Sequence, residues 1–495
     1  MMSIRDALAR LWDADDDAAM LQQNGQWITW GEVRSLAERI DAELHAAGCG
    51  RGGQVAVVLG NRMESVAAVI AILRAERTLV TVSPLQPIQR LSADLATSGA
   101  SFVLAPGELF GERAFVEAIE RLGAAAYSVD GPSVTKCADA TSDPRPVDPT
   151  IAIEMLTSGT TGPAKRVPLG RRELEAALSA ALKHNNRPEI RDKPLLTGAV
   201  GMVTIPIVHI GGMWNLLQAL VAARPIVMLK RFTLRGWHAA ITEHRPTLAG
   251  LPPPAIRAVL DSDIPREDLA SLRAVISGTA PVDPAIVDAF YERFGVPILI
   301  TYGATEFAGA VAGWTASDFR SSWSRKRGSV GRPFPGARLR VVDDGGIEMP
   351  TGQSGRLQVK SPQVSIRAVD WVTTNDLAHV DSDGYLYIDG RADDVIIRGG
   401  FKIEPETVAR ALCTHPAVRD ATVLGRADDR LGQIPVAAVE LVDSRATGED
   451  LREHCRTILT PYEVPAEVFI VDELPRGAAL KVDRARLVAM LDAMH

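Results

Sequence analysis

The 495-residue sequence has no apolar run long enough to cross a membrane; the stretch 66–73 is far too short. Residues 1–17 are acidic and lack the apolar core of a signal peptide, so the expected compartment is the cytoplasm. Cysteine is scarce. Cys49, Cys137, Cys413 and Cys455 form no CxxC pair and no Cys/His spacing of the zinc type, which reads as reduced thiols in a cytosolic protein. There is no basic surplus. The net charge of −7 argues against a nucleic-acid partner, although a local basic patch could still hold a small anion. Internal repeats and low-complexity segments are absent as well. What remains is a globular balance, 46% hydrophobic and 23% charged, on a chain too long for one ordinary core. At least two domains are expected.

Strand-like and helical patterns alternate through the first part: 54–59 strand, 64–74 helix, 78–82 strand, 87–98 helix. Such alternation predicts parallel α/β sheets. The polar stretch 130–150, with four prolines, reads as a loop, after which the α/β pattern resumes to about residue 299. From 328 to 390 the strands are short, split by Gly, Pro and Asp, and have no helices between them, a pattern of antiparallel β with a small barrel as one form. The last hundred residues read as a separate α+β unit. Its helices fall at 405–412, 448–459 and 484–494, and its strands near 421–423 and 436–441.

Two segments carry chemistry. After the apolar strand 151–156 comes Leu156-Thr157-Ser158-Gly159-Thr160-Thr161-Gly162-Pro163-Ala164-Lys165. Its glycines let the backbone approach an anion, its hydroxyls and N–H groups can face one phosphate, and the lysine adds a point charge. It is not the loop of P-loop NTPases, because no glycine directly precedes Lys165. The alternative is a polar surface turn. The second segment, Thr301-Tyr302-Gly303-Ala304-Thr305-Glu306, follows the apolar strand 296–300, and ligands in α/β folds sit at strand C-terminal ends. Glu306 suits Mg²⁺, Thr305 could reach a phosphate, and Tyr302 offers a face to a purine. The alternative is a strand-end loop with a core tyrosine.

Together these segments resemble the adenylate-forming superfamily of acyl- and aryl-coenzyme A synthetases, peptide-synthetase adenylation domains and beetle luciferases. Further stretches fit in order: Gly328-Ser329-Val330-Gly331-Arg332-Pro333, Thr374-Asn375-Asp376, 389–396 running to Gly399-Gly400, and Leu474-Pro475-Arg476 through Lys481-Val482-Asp483-Arg484. The resemblance spans nearly the whole chain. It implies a large N-terminal domain, 1–392, of two α/β subdomains plus a small β-barrel, and a mobile α+β C-terminal domain, 393–495. It also implies roles. Residues 157–165 (Thr157, Ser158, Gly159, Thr160, Thr161, Gly162 and Lys165 among them) should hold the ATP β- and γ-phosphates. Gly278, Thr279, Ala280 and Tyr302 should line the adenine pocket. Thr305 should touch the α-phosphate, and Glu306 should ligate Mg²⁺. Asp376 should accept the ribose hydroxyls, and Arg391 should contact ribose or phosphate. Asp393 should be the hinge, Lys481 should bridge the substrate carboxylate and α-phosphate, and Gly399 and Gly400 should flank the coenzyme A arm. His209 matches the entrance of the acyl pocket.

The implied activity is ATP-dependent conversion of a carboxylic acid to acyl-AMP and then to a coenzyme A thioester. The alternatives are an adenylation domain loading a carrier protein and a non-catalytic ATP- or acyl-binding sensor. No acidic residue follows His209 to pair with an amino group, which favours a fatty, aromatic or alicyclic acid. A homodimer is compatible with this reading. Three departures from the family pattern stand out. The phosphate loop ends Ala164-Lys165-Arg166 in place of Pro-Lys-Gly, Asn375 replaces glycine, and Leu480 stands where glycine usually precedes the lysine. Elsewhere the plain readings come first: Arg325-Lys326-Arg327 as a solvated loop, His454 as surface or core, Trp214 and Trp237 as packing.

Overall fold

The structure is a computed structural model that describes residues 3–142, 147–157, 165–185, 194–278, 280–364, 370–392, 394–398, 401–428, 430–442, 445–477 and 480–494. The chain forms two compact units. The first holds 1–323, 334–336 and 361–369; the second holds 324–333, 337–360 and 370–495.

Three sheets build the first unit. The largest runs Ser133–Ala138, Ala125–Asp130, Phe102–Ala105, Gln54–Val58, Thr78–Val82, Ile151–Thr157, Lys165–Gly170. Its five central strands are parallel, and one antiparallel strand closes each edge. Parallel strands covered on both faces are largely apolar, and Thr78–Val82 is buried at every residue, its two threonine hydroxyls donating to the carbonyls of Ile151 and Glu154. Helix Met63–Arg74 explains itself the same way: residues 65–73 are all buried, as a helix enclosed on every side requires. Helix Trp30–Ala46 starts at a capping box between Thr29 and Glu32.

The edge strand Ser133–Ala138 corrects the loop reading of 130–150. It pairs antiparallel with Ala125–Asp130 and is mostly exposed, so its polar side chains carry no strand signal. A second sheet runs Gly201–Val203, Ile226–Met228, Ala19–Gln23, Gln26–Thr29. In the third, Leu248–Gly250, Ala274–Ser277 and Ile298–Ala304 are parallel, and Gly309–Gly313 returns antiparallel to Ile298–Ala304.

In the second unit, strands Arg338–Val342, Gly355–Lys360, Val372–Val380 and Leu386–Arg391 form a four-stranded antiparallel meander. No closed barrel is formed among the described residues. The last sheet carries Phe401–Ile403, Ile396–Arg398, Gly432–Leu441 and Val418–Asp428, with Glu467–Val471 parallel to Gly432–Leu441. Helices Pro405–Cys413 and Gly448–Arg456 share one of its cores, and helix Arg484–Met494 shares the other. No described helix is long and apolar enough to cross a membrane.

Candidate active site

In the first unit the site collects at the C-terminal ends of parallel strands. Strands Ile151–Thr157 and Lys165–Gly170 are the arms of a hairpin in which Thr157 faces Lys165 and Leu156 faces Arg166. Residues 158–164, which hold Ser158, Gly159, Thr160, Thr161 and Gly162, lie outside the described residues. Strand Lys165–Gly170 packs against the turn Thr305–Phe307, so the lysine-bearing arm and Thr305-Glu306 belong to one neighbourhood. Thr305 is half-buried, and Glu306 presents an exposed carboxylate directly after strand Ile298–Ala304.

The neighbouring strand Ala274–Ser277 ends at Gly278. A Cβ there would lie 2.2 Å from Thr301 Oγ1, so only glycine brings 278 this close to the Tyr302 strand. Ala280 follows in the same connection, and Thr279 lies outside the described residues. Tyr302 is half-buried, opposite Ala312.

His209 caps the N-terminus of helix Ile210–Val221, and its carbonyl accepts from Met213 N at 2.9 Å. Two features that motif reading passes over set its place. The buried Asn61 side chain donates to the carbonyls of Ile205 (3.3 Å) and Leu229 (2.8 Å), and accepts from Ile207 N at 2.9 Å. A Cβ on Gly212 would stand 2.3 Å from the Pro206 carbonyl oxygen, so the helix lies directly on the 205–206 backbone. Farther along the helix, the half-buried Trp214 packs against Ala180, Ala181 and Phe334. Its ring also covers Gly309, where a Cβ would be 3.2 Å from it. Trp237 is fully buried and is packing, as expected.

The second unit brings the late motifs together. Asp376 and Arg391 face each other on neighbouring strands, with Arg391 Nη1 3.6 Å from Asp376 Oδ1. Arg391 Nε lies 3.9 Å from Asp394, which also pairs with Arg484. Lys481 joins this group. Burial and the Arg391 charge lower its pKa, and Asp376 opposes them. Lys481 sits on a tight reversal: Gly477 N donates to its carbonyl at 2.8 Å, and Arg476 and Val482 form a bridge. Leu480 has φ +59°, the left-handed conformation that the usual glycine would take without strain. Asn375, at the other departure, accepts from Arg356 at 3.4 Å. Asp393, Gly399 and Gly400 lie outside the described residues.

Within 325–327, Arg325 and Arg327 are exposed as a solvated loop would be, but Lys326 departs from that reading. It is half-buried and pairs with Asp381 (2.8 Å) and Asp383 (2.5 Å), closing the turn before Tyr385. His454 bonds Thr414 Oγ1 at 2.7 Å, a structural role. Among the described residues no three His, Cys, Asp or Glu side chains gather as a metal cage.

The chain matches the model of the AMP-binding enzyme family over residues 10–366, and that of the AMP-binding enzyme C-terminal domain over 407–481. The chain belongs to the AMP-binding enzyme family. It is 29% identical to 4-coumarate–CoA ligase 5 of Oryza sativa subsp. japonica, over 98% of this chain and 93% of that protein. It is 31% identical to sulfoacetate–CoA ligase of Cupriavidus necator, over 94% and 93%. It is 28% identical to 2-succinylbenzoate–CoA ligase of Bacillus subtilis, over 93% of each. Among solved structures, ATP-bound MatB from Rhodopseudomonas palustris superimposes with TM-score 0.84 at 24% identity, over 99% of each chain, a likeness of fold. The amide bond synthetase McbA from Marinactinospora thermotolerans gives TM-score 0.82 at 25% identity, over 98% and 99%.

Proposed function

We propose that this AMP-binding enzyme is an AMP-forming acid–coenzyme A ligase acting on an aryl or arylalkanoic acid. The observation that carries the chemistry is the packing of the Lys165 arm against the Thr305-Glu306 turn, a cation and a hard carboxylate at the strand ends. The acid class is supported by the Trp214 ring, which lies against Gly309 and in this reading forms one wall of the acid pocket. Two of the relatives above are named for acids with an aromatic ring, 4-coumarate and 2-succinylbenzoate.

A carboxylate is a poor electrophile because its leaving group would be oxide. Attack of its oxygen on the ATP α-phosphorus breaks the α–β anhydride bond, forms acyl-AMP and releases pyrophosphate. The obstacle is an anion approaching a polyanion, so fixed cations at the developing charge are the main catalytic device. In this reading Lys165 and its loop hold the β- and γ-phosphates, Thr305 holds the α-phosphate, and Lys481 spans carboxylate and α-phosphate. Gly278, Thr279, Ala280 and Tyr302 take adenine, and Asp376 and Arg391 take ribose. Glu306 fits Mg²⁺, since a single carboxylate beside phosphates is a usual magnesium donor set. The bound ion supplies neutralisation of phosphate charge. In the second step the coenzyme A thiol sulfur attacks the acyl carbon, the bond to AMP breaks, and the thiol proton goes to solvent. Gly399 and Gly400 would give the pantetheine arm room, and Asp393 would be the hinge between domains 1–392 and 393–495.

We place the enzyme in the cytoplasm with small-molecule partners and no nucleic acid; a homodimer is compatible with that. The test is exchange of labelled pyrophosphate into ATP with a panel of aryl, arylalkanoic, fatty and alicyclic acids, followed by addition of coenzyme A. The expected products are an aryl-containing thioester and AMP. Formation of ADP would overturn the mechanism, and exchange with fatty acids alone would overturn the acid class.

A further inference from the structure

Gln363 is 1% exposed, and no step above uses it. Its Nε2 donates to the carbonyls of Phe307 (3.1 Å) and Ala310 (2.7 Å). Both facing atoms are carbonyl oxygens, which only accept, so the NH₂ end of the carboxamide must point at them. Between the two acceptors the chain reverses through two residues of positive φ, Ala308 at +52° and Gly309 at +136°. Glycine accepts such angles, whereas the Cβ of alanine crowds a carbonyl there. On one side this reversal continues the turn of Thr305 and Glu306, with Ala308 N donating to Thr305 O at 2.9 Å. On the other side it presents Gly309 to the Trp214 ring. A Cβ on Gly303 would stand 2.2 Å from Gly309 O, so the sheet side is already filled.

We propose that Gln363 is a positioning residue for the first half-reaction. Its carboxamide clamps the 307–310 reversal, and through it fixes both the Glu306 carboxylate and the small-residue wall under Trp214. The proposal rests on the roles given above to Glu306 and Trp214. Loss of the clamp takes the carboxamide donor from both carbonyls, the Phe307 contact being buried and the Ala310 contact half-buried, and releases Ala308 toward ordinary angles. Acid binding and chemistry should then suffer together, while ATP binding should suffer less, because in the reading above the 157–165 loop, Gly278, Asp376 and Arg391 hold ATP apart from this reversal.

Two arms test this on the full chain with Gln363→Met, which keeps the length of the side chain and removes its donor. The first is hydrogen exchange read by mass spectrometry. Amides of 303–312 should exchange about tenfold faster in the variant, with strand Ala274–Ser277 unchanged. The second is pyrophosphate exchange. The kcat should fall about tenfold and the KM for acid rise about fivefold, with the KM for ATP within about twofold of wild type. Adding Ala308→Gly, which accepts the left-handed angle unaided, should recover part of the kcat. Unchanged protection across 303–312 would overturn the clamp. So would a uniform fall in Tm with both KM values rising alike, the mark of a merely structural residue. A wild-type enzyme that exchanges pyrophosphate with no acid would sink the functional reading instead, and the first arm would still decide the clamp.

Discussion

Burial and the Arg391 guanidinium lower the pKa of Lys481, while Asp376 pulls it back up. By surface area Lys481 is exposed, yet the groups packed around it and the Arg391 charge still disfavour the ammonium. If that ammonium stabilises the adenylation transition state, the rate is full below the Lys481 pKa and falls as pH rises through it. The alkaline limb of pyrophosphate exchange should therefore begin below the ordinary lysine value of about 10.4. Arg391→Gln removes a like charge and should move the limb to higher pH; Asp376→Asn should move it lower. A limb that stays put in Arg391→Gln would dissociate it from Lys481. Lys481→Ala should lose about 10²–10³ in exchange, ~3–4 kcal/mol, but should keep most of its thioester formation from pre-made acyl-AMP. Wild-type exchange in that variant would mean that Lys481 is an ordinary surface lysine. Its neighbour Leu480 allows a stability test. An L-residue in the left-handed region costs about 1–2 kcal/mol, and Leu480, half-buried, recovers part of that by packing. Leu480→Gly should raise stability by up to about 1 kcal/mol in urea unfolding. A drop larger than that would show that packing outweighs strain.

At the scale of elements, Arg166 shows what replaces the family's closing glycine. Its guanidinium leaves strand Lys165–Gly170, donates to the Thr81 carbonyl at 3.0 Å, and pairs with Asp94 at 2.5 Å in helix Ile88–Ala96. The two side chains are only 15% and 7% exposed, so this is a buried pair. Burial raises the Asp94 pKa, and Arg166 opposes it. Removing one partner of such a pair strands a buried charge. Asp94→Ala should cost about 3–5 kcal/mol, and Asp94→Leu with Arg166→Leu should recover more than half, read by urea unfolding. Additive losses would mean that the two residues act independently. The sequence could not show this pair. Strands such as Thr78–Val82 and Ile151–Thr157 are legible because β-branched and apolar runs report burial locally. The motif residues are legible because glycine, hydroxyl and charge cluster within a few positions. Asn61, Asp94 and Gln363 are lone polar residues whose partners lie 146, 72 and 53 positions away, so their burial follows from tertiary assembly alone. Ser133–Ala138 escaped for the opposite reason, as an exposed edge has no apolar side to reveal.

At the scale of the whole molecule, two half-reactions with different needs share one set of elements. The first needs cations on a carboxylate and a phosphate; the second needs room for a thiol. A hinge that swaps the groups presented to acyl-AMP would serve both, and the proposed function puts it at Asp393. Ala392 N donates to the Asn375 carbonyl at 2.7 Å, which ties the preceding segment into the four-stranded meander. Asp394 closes a turn back to Arg391 O at 3.1 Å, and its carboxylate pairs with Arg484 at the head of the last helix. Under the proposed function Asp393, which lies outside the described residues, would be the hinge, and its φ and ψ would change between the half-reactions, since hinges are a few element-terminal residues. Proline fixes φ near −65° and removes the N–H, so Asp393→Pro should hold the chain in one arrangement. Pyrophosphate exchange and thioester formation from pre-made acyl-AMP should then be damaged unequally, by a ratio of about tenfold or more, with Tm near wild type. An equal loss of both half-reactions, with a falling Tm, would mean that the substitution disturbs folding and that the pivot lies elsewhere.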